Sequence, residues 1–182
     1  MNNFADNTDE ALVQRALQER QAFAALYRRY VERIYRYVYV RIGGETYLAE
    51  DLTSQIFVDA LEGLRQYRDQ GQFAAWLFSI ARRKIADHYR ARRNQVSLDW
   101  LDNILHADDD PLQALLEAED IRLARQIKER LNDNERELIE LRYAAGLSFE
   151  EIAQLLGRKP SAVKMSLYRL LERLREEWQP MK

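Results

Sequence analysis

The sequence predicts an all-α protein: two small helical domains joined by an acidic flexible linker, the second domain a helix-turn-helix. Only 6 Gly and 3 Pro occur among 182 residues, too few for the many tight turns of a sandwich or barrel. Apolar residues recur at three- and four-residue steps through most of the chain, as on buried helix faces. Residues 94–120 contain 8 Asp and Glu but no Lys or Arg, and they separate two mildly basic blocks.

Composition excludes several classes of protein. The chain has no Cys and only 2 His, His88 and His106, so it offers no disulfide framework, zinc finger, thiol nucleophile or histidine metal cage. The apolar stretch 73–81 is far shorter than the ~20 residues that a membrane span needs. The first ten residues are acidic and polar, unlike a signal peptide. We expect a soluble protein of a reducing compartment, with no cofactor and no metal.

The N-terminal domain is predicted over residues 1–93, with a buried helix face that ends near Gly43 and Gly44. This predicted buried face, called the stripe below, comprises Phe23, Leu26, Tyr27, Tyr30, Ile34, Tyr37 and Val38. A second helix is predicted from about residue 48 to 64. After a polar loop at 66–72, a third helix begins at Phe73 and ends in the basic run 90–93.

Residues 94–118 are predicted to be a linker because the periodicity fades and Pro111 follows three Asp residues. A short helical turn is expected inside the linker, around residues 98–105. A helix is expected to resume at about residue 112 and to run to about residue 131. The C-terminal domain is predicted over residues 119–182.

Two capping boxes mark helix starts in that domain, Asn132 with Glu135 and Ser148 with Glu151. Gly157 closes the second of these helices and Pro160 suits the first position of the next. Two short helices joined by a tight glycine turn form the helix-turn-helix pattern.

The last helix has an apolar face, carrying Val163 and Leu167, and a basic outer face. Cations for phosphates and short or flat side chains for base edges are what a DNA recognition helix needs. The predicted contacts are Arg158, Lys159, Ser161, Lys164, Met165, Tyr168 and Arg169. An ordinary amphipathic helix with a basic outer face is the alternative interpretation.

In the first block, aromatic residues lie among cations, a combination that suits stacking on unpaired bases. Tyr67 and Tyr89 stand in basic and polar surroundings and favour contact with nucleic acid, whereas the helical spacing of Trp76 favours a core position over contact. His88 is accompanied by no nucleophile or metal-ligand cluster in the sequence that would make it catalytic.

Three segments in this order resemble the sigma-70 family of RNA polymerase sigma factors, of the small extracytoplasmic-function group. They are AEDLTSQIFVDAL at 49–61, FAAWLFSIA at 73–81 followed by Asp87 and Arg90, and LSFEEIA at 147–153 followed by Gly157 and Val163-Lys164. The chain departs from the family pattern at Met165 and Ser166, where Ser and Arg are usual. Gln55 stands in place of an acid and Arg83 in place of Asn.

The resemblance implies a transcription initiation factor, active in the cytoplasm with the polymerase on the nucleoid and without catalysis of its own. The implied partners are core RNA polymerase, through its largest-subunit clamp coiled coil and its flap, promoter DNA, and an anti-sigma factor as a candidate. Clamp docking is assigned to Glu50, Asp51, Ser54, Gln55 and Val58. Reading of the melted minus-ten element is assigned to Tyr67, Arg68, Asp69, Gln70, Gln72, Trp76, Arg83, His88 and Tyr89. The recognition helix is assigned to the minus-thirty-five duplex.

Two other functions remain open at this point. A conventional helix-turn-helix regulator would bind duplex DNA without polymerase and would not need the aromatic loop. An enzyme acting on nucleic acid would need a phosphate-binding glycine loop, a metal cluster or a nucleophile–base pair, and the sequence offers none of these motifs.

Overall fold

The computed structural model describes residues 8–67, 72–95 and 130–177. The α-helices in these ranges are α1 (Asp9–Ala16), α2 (Arg20–Arg41), α3 (Thr46–Gly63), α4 (Phe73–Gln95), α5 (Asp133–Ile139), α6 (Phe149–Leu156) and α7 (Pro160–Glu177). A short 3-10 turn, Leu64–Gln66, follows α3, and a π-helical turn, Glu140–Ala144, follows α5. Every regular element in these ranges is helical, which confirms the all-α prediction.

Helix α2 is the centre of the N-terminal block, which comprises α1 to α4. Five of the seven residues of its predicted stripe are buried, with Leu26, Ile34 and Tyr37 each 0% exposed. Phe23 is half-buried, and Tyr27 is 42% exposed because it lies at the rim of the face, edge-on to Phe57 of α3. The helix packs against α1, α3 and α4, so one apolar face organises the other three helices. The helix ends just before Gly43 and Gly44, whose φ angles of 85° and 91° suit glycine.

Helix α1 precedes the predicted stripe and is held to α2 by one carboxylate. Thr8 caps the helix by accepting a hydrogen bond from the backbone N–H of Ala11, 3.3 Å away. Asp9 then accepts a hydrogen bond from Arg29 at 2.5 Å and a short one from the hydroxyl of Tyr30. These polar contacts orient α1 while Leu12 and Val13 enter the core.

Both predicted capping boxes are present in the C-terminal block, which comprises α5 to α7. At α6, the Ser148 hydroxyl accepts from the Glu151 N–H at 3.1 Å, and the Glu151 carboxylate accepts from the Ser148 N–H at 2.7 Å. Leu147 and Ile152 flank this cap at the two positions of a hydrophobic staple, and both are 0% exposed. Gly157 ends α6 with a φ of 64°, so the chain turns directly into α7.

The two blocks share one buried cluster. Helix α4 packs on α6, and α2 packs on the π-helical turn, so apolar residues of both blocks are continuous in the core. Leu141, Leu147 and Ile152 of the C-terminal block are fully buried within this cluster. The sequence predicted the elements of each block and did not predict this packing between them.

Several sequence predictions lie outside the described residues. These are residues 96–118 of the predicted acidic linker with its short helical turn, most of the helix expected from 112 to 131, and the loop residues Arg68, Asp69 and Gln70. The first two residues of the predicted linker, 94 and 95, instead belong to α4. The domain boundaries therefore stay predictions.

The cap of α6 yields a stability prediction. Ser148→Ala removes a hydroxyl that satisfies a helix N–H, so the free energy of unfolding falls by about 1 kcal/mol. Urea denaturation followed by circular dichroism measures the change. Ser54→Ala is the matched control, because Ser54 lies inside α3 and its hydroxyl bonds only the Glu50 carbonyl of its own helix, at 2.9 Å. Equal stability of the Ser148 variant and the wild type would contradict the assigned cap.

Candidate nucleic-acid interface

The outer face of α7 is open, as predicted for a recognition helix. Val163, Leu167 and Leu170 are buried against the rest of the C-terminal block, at 0%, 1% and 4% exposure. The opposite face is exposed and carries Ser161, Lys164, Met165, Tyr168 and Arg169. The apolar face fixes the helix on its support, so the outer side chains project together along one surface.

Contacts among these residues shape the surface. The Lys164 ammonium lies 5.7 Å from the centre of the Tyr168 ring, and that ring is edge-on to Phe149 at 6.4 Å. Arg158 donates to the Ser166 hydroxyl at 2.6 Å, so one departure from the family pattern anchors a predicted phosphate contact. Cations on either side of Met165 can bind the phosphates of a DNA duplex, while the apolar Met165 side chain contacts base edges.

Helix α7 is also tied to α5. Arg173 pairs with Glu135 at 2.9 Å, and Glu135 completes the capping box of α5. Burial alone would raise the pKa of the Glu135 carboxyl, but the hydrogen bonds from Arg173 and from the backbone N–H of Asn132 outweigh it and lower that pKa. The ionised carboxylate thus helps to hold α7 against α5.

Three of the predicted minus-ten residues meet at one cavity. Tyr67, Gln72 and Trp76 line a space of about 370 Å³ beside the loop that precedes α4. The Tyr67 hydroxyl accepts from the Gln72 backbone N–H at 3.2 Å, and its ring centre is 5.0 Å from that of Trp76. Tyr67 is half-buried against Phe73 rather than fully exposed, so its ring forms a wall of the cavity.

Arg83 and Tyr89 line a second cavity, of about 430 Å³, farther along α4. The Tyr89 hydroxyl donates to the Arg41 carbonyl at 2.8 Å, and burial raises the pKa of this phenol. Tyr37 also borders the cavity, and burial raises its pKa as well. Within the described ranges, no hydrogen-bond partner reaches the Tyr37 hydroxyl.

His88 does not join either group. It follows Arg83 by five residues, which places it about 140° around the helix. It is half-buried next to Tyr89, with ring centres 5.7 Å apart, and lines neither cavity. Its role in reading the minus-ten element stays a prediction, and the geometry gives it no shared site with Tyr67 and Trp76.

The predicted docking residues form one exposed stripe on α3. Glu50, Ser54 and Val58 succeed one another at four-residue steps, and Asp51 and Gln55 run beside them. The Gln55 amide donates to the Asp51 carboxylate at 2.8 Å. Val58 is 54% exposed and Leu61 is 48% exposed. The stripe is therefore acidic at its N-terminal end, at Glu50 and Asp51, and apolar at its C-terminal end. Sequence reasoning did not include Leu61 in this stripe, although its spacing of three from Val58 was visible.

Residues of the C-terminal block complete both cavities of α4, and sequence reasoning missed them. Gln154 and Leu155 of α6 line the first, and Asp133, Asn134 and Glu137 of α5 line the second. No signal in the sequence links them to α4, because they lie at least 38 positions beyond its end at Gln95.

Within the described ranges, His, Asp and Glu residues form no group suited to a metal ion. Within the same ranges, no helix combines the length and apolar character that crossing a membrane requires.

Comparisons with known proteins agree with this arrangement. Sigma-70 region 2 matches residues 26–95, which contain α3, α4 and the N-terminal walls of both cavities, and Sigma-70, region 4 matches residues 121–174, which contain α6 and most of α7. Among solved structures, CnrH in complex with the cytosolic domain of CnrY has the same fold, with a TM-score of 0.65 and 24% identity, covering 95% of this chain and 100% of that one.

The relatives by sequence include the ECF RNA polymerase sigma factor BldN of Streptomyces coelicolor, 36% identical over 90% of this chain and 63% of the relative. ShbA of Streptomyces griseus, also an ECF RNA polymerase sigma factor, is 36% identical over 73% of both chains. The RNA polymerase sigma factor YlaC of Bacillus subtilis is 31% identical over 84% of this chain and 90% of the relative. With both family regions present in order and these relatives matched along most of its length, the chain belongs to the sigma-70 family of RNA polymerase sigma factors, in the extracytoplasmic-function group.

Proposed function

We propose that this chain is a transcription initiation factor that binds core RNA polymerase and directs it to specific promoters. The observation that carries the proposal is the separation of two exposed faces on different elements. One is the stripe on α3, acidic at one end and apolar at the other, and the other is the basic outer face of α7. A protein that only binds duplex DNA needs the second face and has no use for the first.

Docking on the polymerase is assigned to α3. Glu50 and Asp51 offer negative charge to a basic partner surface, while Val58 and Leu61 offer apolar area for burial. Interfaces of this kind combine charge for steering with an apolar centre for affinity. The proposed partner surface is the clamp coiled coil of the largest subunit, and the proposed contact for the C-terminal block is the flap.

Reading of the minus-thirty-five element as duplex is assigned to α7. Arg158, Lys159, Lys164 and Arg169 supply phosphate or guanine contacts. Met165, 53% exposed at the centre of the face, supplies apolar contact where a thymine methyl can lie. Ser161 and Tyr168 add hydroxyl groups for base edges or phosphates.

Reading of the minus-ten element as melted strand is assigned to the first cavity and the neighbouring face of α4. Extruding a base costs a few kcal/mol, which stacking and edge hydrogen bonds in a pocket must offset. The aromatic walls from Tyr67 and Trp76 and the amide of Gln72 provide both kinds of contact. Arg83 and Tyr89 lie farther along the helix, where the strand's phosphates would pass.

Attachment to the polymerase lets the two proposed DNA-binding surfaces, on α7 and on α4, act together. With both blocks held on one partner, the second DNA contact becomes intramolecular and gains a high effective concentration. The proposal assigns no bond-making or bond-breaking step to this chain, because the polymerase supplies the chemistry. It places the chain in the cytoplasm with the polymerase, and an anti-sigma factor is a further proposed partner, supported by the family.

Run-off transcription with purified core polymerase tests the proposal. A template pool of genomic fragments gives discrete transcripts only when both core and this chain are present. A conventional helix-turn-helix regulator would instead bind duplex fragments alone and would leave core polymerase without specific initiation. The absence of any chain-dependent transcript would contradict the proposal.

Asp51→Arg tests docking. The charge reversal places a cation against the basic surface that the stripe is proposed to meet, so co-purification with core polymerase is lost. Asp51 is exposed and its side chain bonds only Gln55, so circular dichroism of the variant matches that of the wild type. Glu32→Arg, the same reversal at an exposed site on α2, is the control and retains binding. Unchanged core binding by the Asp51 variant would remove α3 from the interface.

Arg169→Ala and Met165→Ala separate two kinds of contact on α7. Loss of a phosphate contact weakens binding to all sequences alike. It also reduces by about one the slope of the logarithm of the binding constant against the logarithm of the salt concentration. Loss of a base contact costs about 1–3 kcal/mol at a single base pair. We expect the first behaviour for Arg169 and a base-selective loss for Met165. Holoenzyme binding to single-base promoter variants at two salt concentrations measures both, and wild-type behaviour of both variants would remove this face from DNA reading.

Replacement of the loop at residues 67–72 by an unrelated loop tests the first cavity. The exchange alters the pocket walls that Tyr67 and Gln72 contribute and leaves α7 untouched. We therefore expect a changed minus-ten preference and an unchanged minus-thirty-five preference in a promoter-variant library. A change in both preferences, or in neither, would contradict the assignment.

A further inference from the structure

Arg158 leaves the turn between α6 and α7 and lies along one side of α7. Its backbone N–H donates to the carbonyl of Ala153 in α6 at 2.8 Å, so the residue starts from a fixed point. Its guanidinium donates to the hydroxyl of Ser166 at 2.6 Å and to the carbonyl of Ala162 at 3.4 Å. Ala162 and Ser166 are four positions apart and stand one above the other on the helix. The arginine side chain therefore crosses the first two turns of α7.

The positive charge of Arg158 remains available to an anion. Both hydrogen bonds start from Nη2 and end on uncharged oxygens of α7, and in the described part of the chain no carboxylate pairs with this guanidinium. The donors on Nε and Nη1 are left for a ligand. Arg173, farther along the same helix, is instead paired with Glu135 at 2.9 Å. Arg158 is thus held in place without being neutralised.

The tethered guanidinium lies across Met165 from another cation. Successive residues of an α-helix are about 100° apart, so positions 164 and 166 project to opposite sides of position 165. Ser166 holds the guanidinium on one side, and the Lys164 ammonium lies on the other, 5.7 Å from the centre of the Tyr168 ring. Each cation therefore has a neighbour on α7 that limits where it can point.

This arrangement matches the dimensions of a DNA major groove. The groove is about 12 Å wide and a helix with its side chains is about 10–12 Å across, so cations on the two sides of the helix approach the phosphates of the two strands. Met165, which is 53% exposed between them, faces the base edges. Phosphate contacts on both sides fix the orientation of the helix, which base contacts then exploit.

Ser166 is also one of the two positions at which α7 departs from the family pattern, which has Arg there. The serine carries no charge, so this replacement by itself removes a cation from one side of the recognition helix. Arg158 returns a guanidinium to the same place from the preceding turn, at 2.6 Å from the serine hydroxyl.

We infer that Ser166 is a positioning residue that holds Arg158 beside Met165, so that Arg158 and Lys164 form a preorganised two-sided phosphate grip. Fixing a long side chain before DNA arrives removes part of the entropy cost of binding. The role in promoter binding rests on the proposed function, whereas the contact between Arg158 and Ser166 does not.

Ser166→Val and Ser166→Thr are a matched pair, because both side chains are β-branched and differ by a methyl group in place of the hydroxyl. The assay is anisotropy of a labelled duplex that ends before the minus-ten element, taken from a promoter found by run-off transcription and bound by holoenzyme. We expect about threefold weaker binding for Ser166→Val and wild-type binding for Ser166→Thr. The dependence on salt concentration is unchanged in both, because no charge is lost.

Arg158→Ala removes the cation itself. We expect about tenfold weaker binding, and the slope of the logarithm of the binding constant against the logarithm of the salt concentration falls by about one. Adding Ser166→Val to this variant has no further effect, because the guanidinium that the hydroxyl held is gone. Lys164→Ala is the matched background, since it also loses one cation of the face. There Ser166→Val still weakens binding about threefold.

NMR relaxation of the Arg158 Nε–H group tests the contact in the full chain without polymerase or DNA. Arg158→Lys identifies the signal by removing it. We expect an order parameter of about 0.85, as in rigid backbone, in the wild type and in Ser166→Thr. In Ser166→Val the value falls below about 0.6, as in flexible segments.

Four results would overturn the inference. Wild-type binding by Ser166→Val would show that the hydroxyl does not assist DNA binding. Equal weakening by Ser166→Val with and without Arg158 would show that the serine acts by another route. Weak binding by Ser166→Thr would exclude the hydroxyl as the cause, and a flexible Arg158 guanidinium in the wild type would exclude the tether. A rigid Arg158 in a chain that supports no transcription would contradict the proposed function and leave the tether established.

Discussion

The fold depends on the burial of one face of α2. Helix α2 packs against α1, α3, α4 and the π-helical turn, and Ile34 and Tyr37 on its buried face are 0% exposed. Arg33 and Arg41 flank it and reach into the C-terminal block. The helix therefore sets the position of α3 and α4, which carry two proposed binding surfaces, and also the place where the other block rests.

Local physics made the helices and their ends predictable from the sequence. A capping box needs two residues three positions apart, so the spacing of Asn132 with Glu135 and of Ser148 with Glu151 is enough to identify both helix starts. The open face of α7 was equally predictable, because a single amphipathic helix reveals which side is buried. The residues of the stripe on α3 came instead from the resemblance to the sigma-70 family.

The grouping of site residues was harder to predict because it depends on contacts between distant parts of the chain. Arg33 and Ala145 are 112 positions apart, and nothing in either segment indicates that they meet. Periodicity placed Tyr67, Trp76, Arg83 and His88 near one another along the chain. It did not predict that these residues line two separate cavities, or that His88 lies outside both of them. Trp76 suited a core and a contact role, and its position at a cavity wall beside Phe73 combines the two.

The central claim is that this chain enables core polymerase to recognise and open promoter DNA. Permanganate reactivity of unpaired thymines tests it most directly, on a supercoiled promoter template with core polymerase, with this chain, and with both. The account predicts reactive thymines around the minus-ten element only when both proteins are present. Reactivity with core alone, or its absence when both proteins are bound to the template, would contradict the account.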